Sequence, residues 1–447
     1  DTDTDTVSME EWDPADFANV YDVGPGQPYL EPGAVPWESL APSSLVRIHH
    51  RPDPYRAKWV INTIATEADP VVVTGVPGPA GALPVISGDA AVTRLALSYW
   101  NEERSVIKIG GSNLPNDYSV PAWIYVESLE IRSGHPDYVF DDDAGNPGVY
   151  SENAASVHIE IGENIFIRGN ELHDSGNGLF SGSQSSEVTI AYNDIHGNGV
   201  VGSIYHHNNY TESVGILFEA NRFGPLRAGA GGNNLKDRSA GQVIRYNWIE
   251  GGNRQLDLVD TDHDNVRDDP RYHETWVYGN VLVEPEGDGN SQMVHYGGDS
   301  GDESWYRKGT LYFLHNTVVS ERAGNTTLVR LSSADESADI QSNLVTVGGT
   351  LGLVSEHGDV ALASNWLQAG WVDAIDGATG VISESNNVTG ADPGFVGGGD
   401  YHLAAGSAAI DAGNAAGPIT VDQQILTPRV LEDRPVDGSP DCGALER

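Results

Sequence analysis

The chain has 447 residues, 39% of them hydrophobic and 20% charged, a balance that buries a core and excludes a wholly disordered protein. Its formal net charge is −41 at pH 7 and its pI is near 4.4, which excludes sequence-general nucleic-acid binding by the surface as a whole. No apolar run approaches the roughly 18 residues that a membrane span needs, and a single cysteine, Cys442, excludes an intramolecular disulfide and a cysteine zinc cluster.

Only four lysines occur: Lys58, Lys108, Lys236 and Lys308. A surface so acidic and so poor in lysine stays hydrated in concentrated salt, where screening removes its self-repulsion. A saline habitat is therefore expected, with unfolding or loss of activity at low salt as its sign. The chain opens Asp1-Thr2-Asp3-Thr4-Asp5, without a methionine or a signal sequence. The simplest account is a mature secreted or periplasmic chain whose export signal has been removed. The charge also means that an anionic partner needs a local basic cleft.

In chain order, residues 1–20 read as an acidic arm. From Val46 to Ile131 the sequence reads as strands, among them Val71-Val72-Val73 and Val106-Ile107-Lys108-Ile109. A repeat then becomes explicit. Ile165-Phe166-Ile167-Arg168-Gly169-Asn170, Val188-Thr189-Ile190-Ala191-Tyr192-Asn193 and Ile216-Leu217-Phe218-Glu219-Ala220-Asn221 are short β-rich runs ending in asparagine. Val243-Ile244-Arg245-Tyr246-Asn247, Trp276-Val277-Tyr278-Gly279-Asn280 and Leu311-Tyr312-Phe313-Leu314-His315-Asn316 follow, with weaker copies ending at Asn343, Asn365 and Asn386. Successive asparagines are 23, 28, 26, 33, 36, 27, 22 and 21 residues apart.

A spacing in the low twenties is one coil of three short strands and three turns. The longer spacings are coils with inserted loops. Alternate apolar side chains point into the lumen. The asparagine sits where the chain bends, tolerates left-handed backbone angles and can ladder up the stack. The leucine-rich-repeat consensus is absent, and propeller blades need longer, more even units. The expected fold is all-β: a single right-handed parallel β-helix over residues 21–394, with long loops on some coils. Residues 395–447, where the repeat is lost, form a cap or tail packed on it.

Both ends resemble secreted β-helix proteins. The carriers are Tyr21-Asp22-Val23-Gly24-Pro25-Gly26-Gln27, the segment from Pro70 to Gly88, Asp392-Pro393-Gly394-Phe395, Tyr401-His402-Leu403, Gly406-Ser407-Ala408-Ala409-Ile410-Asp411-Ala412-Gly413 and Pro440-Asp441-Cys442-Gly443-Ala444. In the middle, Asn233-Asn234-Leu235-Lys236-Asp237-Arg238-Ser239, then Val243-Ile244-Arg245-Tyr246-Asn247 and Asn253-Arg254, resemble the catalytic stretch of polysaccharide lyase family six, the alginate lyase and chondroitinase B type. The resemblance implies that Lys236 is the base and that Arg254, about one coil later, binds the substrate carboxylate. Calcium-dependent members carry a glutamate pair shortly before the lysine. This chain has Gly229-Ala230-Gly231-Gly232 there, so the resemblance does not bring calcium to the active site.

The residues fit β-elimination on a uronate polymer. The C5 proton is poorly acidic, so the adjacent carboxylate must be neutralised, a base must take the proton and an acid must protonate the leaving oxygen. A bidentate arginine suits the first task, and a lysine with a lowered pKa the second. Lys236 and Arg254 are 18 residues apart, so stacked coils put them on one face. Arg238 and Arg245 lie in the same stretch. Strand parity points Arg245 outward onto the cleft, where their positive field would lower the pKa of Lys236. Acids or substrate contacts are sought among His173, His206, His207, Tyr210 and His295, with His206 to Tyr210 read as an exposed loop. The plain readings are a solvated Lys236, an Arg254 paired with Asp257 or Asp260, and a polar turn at His206.

No cofactor is required. Asp260, Asp262 and Asp264 alternate as in a calcium loop, which makes structural calcium the metal to look for, but the glycine and final glutamate of such loops are missing. The histidines lack zinc spacing. A rival reading is a β-helix glycoside hydrolase using Asp257, Asp260, Asp268 or Asp269. Another is a non-catalytic carbohydrate-binding surface protein, in which Trp248, Trp276, Trp305 and Trp366 stack sugars. The expected partner is an anionic polysaccharide, with no nucleic acid and no membrane insertion.

Overall fold

A computed structural model describes residues 12–114, 119–435 and 437–447. The chain divides into two compact units. The first holds residues 1–213 with Arg227–Ala230, and the second holds Val214–Leu226 with Gly231–Arg447.

In the first unit, Asn19–Val23, Ser44–His49, Val71–Val76, Ala122–Glu127, Ala155–Arg168 and Asn177–Ala191 stack in parallel, each in register on the one before. A second stack runs from Ala57–Ile61 through Ser105–Ile109 to the start of Ala155–Arg168. A third joins Val85–Ser87, Glu130–Arg132, Glu171–His173 and Asp194–His196. Of the expected acidic arm, residues 1–11 lie outside the described residues. Trp12 donates Nε1 to Glu127 Oε2 at 2.8 Å and packs edge-on against Tyr125.

The second unit is also a three-faced parallel coil. Its first face stacks Val214–Glu219, Ala240–Arg245, Glu274–Tyr278, Thr310–Leu314, Ser337–Gln341, Asp359–Ala363 and Ile382–Ser385. The second stacks Leu235–Asp237, Leu256–Leu258, Gln292–Tyr296, Thr326–Leu331 and Leu351–Glu356. The third runs from Arg222–Phe223 through Trp248–Glu250, Val281–Glu284, Thr317–Ser320, Leu344–Val347 and Trp366–Gln368 to Val388–Gly390. Alternation fills the lumen: Phe218, Ile244, Val277, Phe313, Ile340 and Leu362 share one inward column and are buried.

The two widest asparagine spacings are insertions that leave from the second face. After Leu256–Leu258 the chain forms Asp264–Arg267, the one α-helix among the described residues, and the turn Pro270–His273. After Gln292–Tyr296 comes the loop 297–309. C-terminal to the coil, Phe395–Gly397 pairs with Asp400–Leu403 and Gln423–Thr427 with Val430–Asp433, both antiparallel. Val421, Ile425, Ala444 and Leu445 close over Tyr246, Tyr278 and Leu314.

The asparagines do form a ladder. Asn221, Asn247, Asn280, Asn316, Asn343 and Asn365 each donate both backbone N–H and Nδ2 to the next Oδ1 along the stack. Two details differ from the expectation. The last member is Asn387, not Asn386. The left-handed residue is the one before each asparagine: Ala220, Tyr246, His315, Ser342, Ser364 and Asn386 all have φ between 49° and 57°. The bend turns the asparagine side chain into the wall, where it is buried and must bond. Gly279 holds the same slot at φ 65°, where a Cβ would stand 2.6 Å from the Tyr246 ring.

Replacing Asn316 with alanine is expected to cost roughly 2–4 kcal/mol, because the Asn280 N–H and Nδ2 and the Val277 carbonyl lose buried partners. Asn387→Ala, at the half-buried end of the ladder, is expected to cost less. Urea unfolding of the two variants checks the order.

Candidate active site

The second face of the second unit gathers the chemistry. Leu235-Lys236-Asp237, Leu256-Asp257-Leu258, Val294-His295-Tyr296 and Val329-Arg330-Leu331 lie in register on successive coils. The flanking residues of each triplet are buried. The middle ones form a single outward column: Lys236, Asp257, His295, Arg330.

Asp257 is the hub of this column. Its Oδ2 takes Lys236 Nζ at 2.5 Å and Asn233 Nδ2 at 2.7 Å, and its Oδ1 lies 2.8 Å from His295 Nδ1. Arg254 NH1 stands 3.8 Å from the same Oδ1, and the Arg254 guanidinium is held by Gln292 Oε1 at 2.7 and 3.1 Å. The loop 297–309 brings Asp299, which accepts from Lys236 Nζ at 2.6 Å and from Arg238 NH2 at 2.8 Å. Asp299 is fixed in turn by its own N–H, which donates to Asp260 Oδ1 at 2.7 Å. Arg330 pairs with Glu356 at 3.1 Å.

Burial is the strongest single influence on Asp257 and favours its neutral form. Lys236, then His295 and Arg254, overcome burial and hold the carboxyl well below the usual range. Asp299 is lowered in the same way by Lys236 and Arg238. Burial also works against the charge of Lys236, but Asp257 and Asp299 outweigh burial and the repulsion of Arg238, so its pKa lies above the ordinary lysine value. This corrects the expectation of a lysine lowered by neighbouring cations. The nearest charges are carboxylates, one from the adjacent coil and one from an insertion whose position is not set by the repeat.

Lys236, Arg238, Arg254 and His295 are thus brought together, and Arg245 is not. Its parity is outward as expected, but it stands on the first face beside Tyr278, under the C-terminal segment. There it is buried, with Nε 2.6 Å from Glu219 Oε2 and NH1 3.2 Å from the Tyr278 hydroxyl. Arg168 and Glu127 make the same coil-to-coil pair in the first unit, so the position is structural.

His173, His206, His207 and Tyr210 belong to the first unit. His206 and His207 are 4% and 3% exposed, which corrects the reading of an exposed loop. His206 Nδ1 contacts Ser203 Oγ at 2.8 Å, and Tyr210 packs edge-on against Phe180 and His207. His173 stacks on His196 with ring centres 5.2 Å apart and contacts Glu130 at 3.2 Å.

The alternating aspartates do not converge. Asp260 is buried and accepts from the Ser300 hydroxyl and the Asp299 amide, whereas Asp262 and Asp264 are exposed and pair with His263 and Arg267. Among the described residues no group of three His, Cys, Asp or Glu side chains could hold a metal ion. Asp268 is exposed and Asp269 caps the turn Pro270–His273, so they give Asp257 no second carboxylate. Trp366 is buried core, Trp276 stacks on Tyr312 at 4.0 Å, Trp248 packs on Tyr401, and Arg267 lies over Trp305.

The reading of the sequence missed Arg330 and Asp299, and it named Asp257 only as a hydrolase carboxylate or as an ion-pair partner of Arg254, whose NH1 lies 3.8 Å from it. Arg330 was findable, since the triplets Leu-Lys-Asp, Leu-Asp-Leu, Val-His-Tyr and Val-Arg-Leu recur with one polar centre each. Asp299 carries no such signal, because an insertion has no partner coil to be aligned with.

Three stacked parallel faces around an apolar lumen, with a polar column on one of them, define a right-handed parallel β-helix. Among solved structures, that of the pectate lyase Pel9A matches 96% of this chain and 97% of its own, with a TM-score of 0.50 and 12% identity, a likeness of fold. A Geobacillus virus E2 protein, ORF18, aligns over 78% of this chain and 53% of its own at 10% identity, with a TM-score of 0.29 that carries no argument. No family model and no curated protein matches the chain. No helix among the described residues is long and apolar enough to cross a membrane.

Proposed function

We propose that the protein is a polysaccharide lyase that cleaves a uronate-containing glycan by β-elimination on the Lys236 face. The observation that carries this reading is the gathering of Lys236, Arg238, Arg254 and Arg330 on one face of a chain with net charge −41, each held against a carboxylate of the same face. An acidic polymer is repelled by the protein at large and meets cations only where they are gathered. The β-helix fold of lyase type and the resemblance of the Lys236 to Arg254 stretch to lyase family six support the same reading. An alginate- or glycosaminoglycan-like polymer is the substrate class to test first, and a polymer of that size places the enzyme outside the cell.

Arg254, steadied by Gln292, neutralises the uronate carboxylate, and Arg330 is the neighbouring cation whose field reaches it. Lys236 takes the C5 proton. At rest Lys236 carries its own proton between Asp257 and Asp299, so it becomes a base only as the pH rises. The more exposed of its acceptors is Asp299, at 31% against 3% for Asp257, and it is the one a substrate carboxylate competes with.

The test is the ultraviolet absorbance of the unsaturated product on alginate, chondroitin, dermatan, hyaluronan, pectin and ulvan, at low and high salt, with and without chelator. A rise on one polymer is expected, steepening toward alkaline pH and indifferent to the chelator. Asp299→Asn removes an anion that favours the ammonium. It therefore lowers the Lys236 pKa and moves the ascending limb of kcat/KM to lower pH. Reducing ends without unsaturated product would replace the lyase with a hydrolase.

A further inference from the structure

One hydroxyl on this face is surrounded as a nucleophile is. Ser332 follows the strand Thr326–Leu331 and is partly exposed. Its Oγ lies 2.8 Å from His295 Nε2, and His295 Nδ1 lies 2.8 Å from Asp257 Oδ1. The tautomer follows from the partners. An ionised carboxylate only accepts, so Nδ1 carries a proton and donates it to Asp257. Burial lowers the His295 pKa, against the pull of Asp257, and the ring is neutral near pH 7. Nε2 then presents a lone pair to the Ser332 hydroxyl. Oγ also receives the Gly298 N–H at 3.0 Å and has the Gly298 and Tyr296 carbonyls at 2.9 and 3.3 Å. Of the three acceptors for its single proton, the imidazole nitrogen is the most basic.

The order carboxylate, imidazole, hydroxyl, with both contacts at hydrogen-bond distance, is the arrangement that activates a serine. Asp257 cannot swing away, because Lys236 and Asn233 hold its other oxygen. Elimination as proposed above leaves Ser332 without a role.

We propose that Ser332, His295 and Asp257 form a second catalytic site that hydrolyses carboxylic esters borne on the hydroxyl groups of acidic sugars. Ser332 Oγ attacks the acyl carbon while His295 Nε2 takes its proton. The bond from the acyl carbon to the sugar oxygen breaks, and His295 returns the proton to that oxygen. Water then adds to the acyl-serine, losing its proton to the same nitrogen. The bond to Oγ breaks, Oγ regains the proton, and a carboxylic acid leaves. The Gly298 N–H, already on Oγ, stands beside the reacting carbon. The preference for acidic sugars rests on the cation face of the preceding reading, but the serine chemistry does not.

The whole chain is treated with a fluorophosphonate, which phosphonylates activated serines, and the modified peptide is located by mass spectrometry. Acetate release from an O-acetylated uronate polymer is followed in parallel. Labelling at Ser332 and acetate release are expected, both lost in Ser332→Ala and slowed at least about 10³-fold in His295→Gln. Urea unfolding establishes that each variant is folded. Ser332→Cys keeps a nucleophile in place and is expected to react with iodoacetamide at that thiol faster than at Cys442, which is buried. Unlabelled Ser332 in the folded wild type, with acetate release no greater than in Ser332→Ala, overturns the proposal. Unsaturated product from a de-esterified polymer is measured on the same samples. Labelling without it refutes the lyase and leaves the esterase standing, and the reverse result refutes the esterase alone.

Discussion

Lys236→Ala is expected to lower lyase turnover by about 10²–10⁴-fold, the range a positioned general base contributes. The loss should fall on kcat, since the Lys236 proton moves only in the reaction, whereas Arg254→Ala should raise KM as well, by taking away half of the carboxylate site. Lys236→Arg is not expected to rescue, because a guanidinium stays protonated and is a poor base. The truncation also strips one of three close partners from Asp257, so turnover must be read on protein shown to be folded. Activity at the wild-type rate in both alanine variants would remove the proposed mechanism.

The second large effect is on stability. Asp257→Ala is expected to destabilise the protein by about 3–5 kcal/mol, since it leaves the Lys236 ammonium buried without its inner partner and frees Asn233 Nδ2 and His295 Nδ1. Asp257→Asn keeps the volume and some of the bonds and should lose less. The pH dependence separates a charge effect from a packing effect. The folded pKa of Asp257 lies well below the unfolded value near 3.8, so its stabilisation is complete above that value and fades as the pH falls through the folded pKa. The gap in unfolding free energy between wild type and Asp257→Asn should therefore be widest near neutral pH and close in acid. At the other end, the raised pKa of Lys236 means that its share holds up to the ordinary lysine value and is lost only as the pH climbs through the folded one. Urea titrations at several pH values measure both limbs, and a gap that does not narrow in acid would mean that Asp257 acts through shape alone.

Much of the fold was legible because a coil repeats a local pattern. Alternation of apolar residues, a bend and a buried asparagine recur at Asn221, Asn247 and Asn280, and each recurrence is readable without knowing the others. The ladder itself could be expected, but not which residue of the bend takes the left-handed angle. That choice depends on the asparagine side chain finding its neighbour one coil away.

The site was legible only in part. Lys236 and Arg254 share a face because about one coil of spacing returns the chain to the face it left, and Arg238 because it follows Lys236 by two residues, and that much is arithmetic on the sequence. Arg245 obeys the same arithmetic and was still misplaced. Parity tells inside from outside, but not that residues more than 140 positions later close over Tyr246 and Tyr278. The sign of the Lys236 pKa shift was beyond reach for a related reason. Nearby arginines are visible in the sequence, whereas Asp299 arrives on a loop whose path depends on its anchor to Asp260. Sequence by itself therefore determined the coil, its period and the face that carries the cations, all consequences of local periodicity. Tertiary structure decided which charges touch, which arginine is buried and which hydroxyl meets His295, because those contacts join segments with no common repeat.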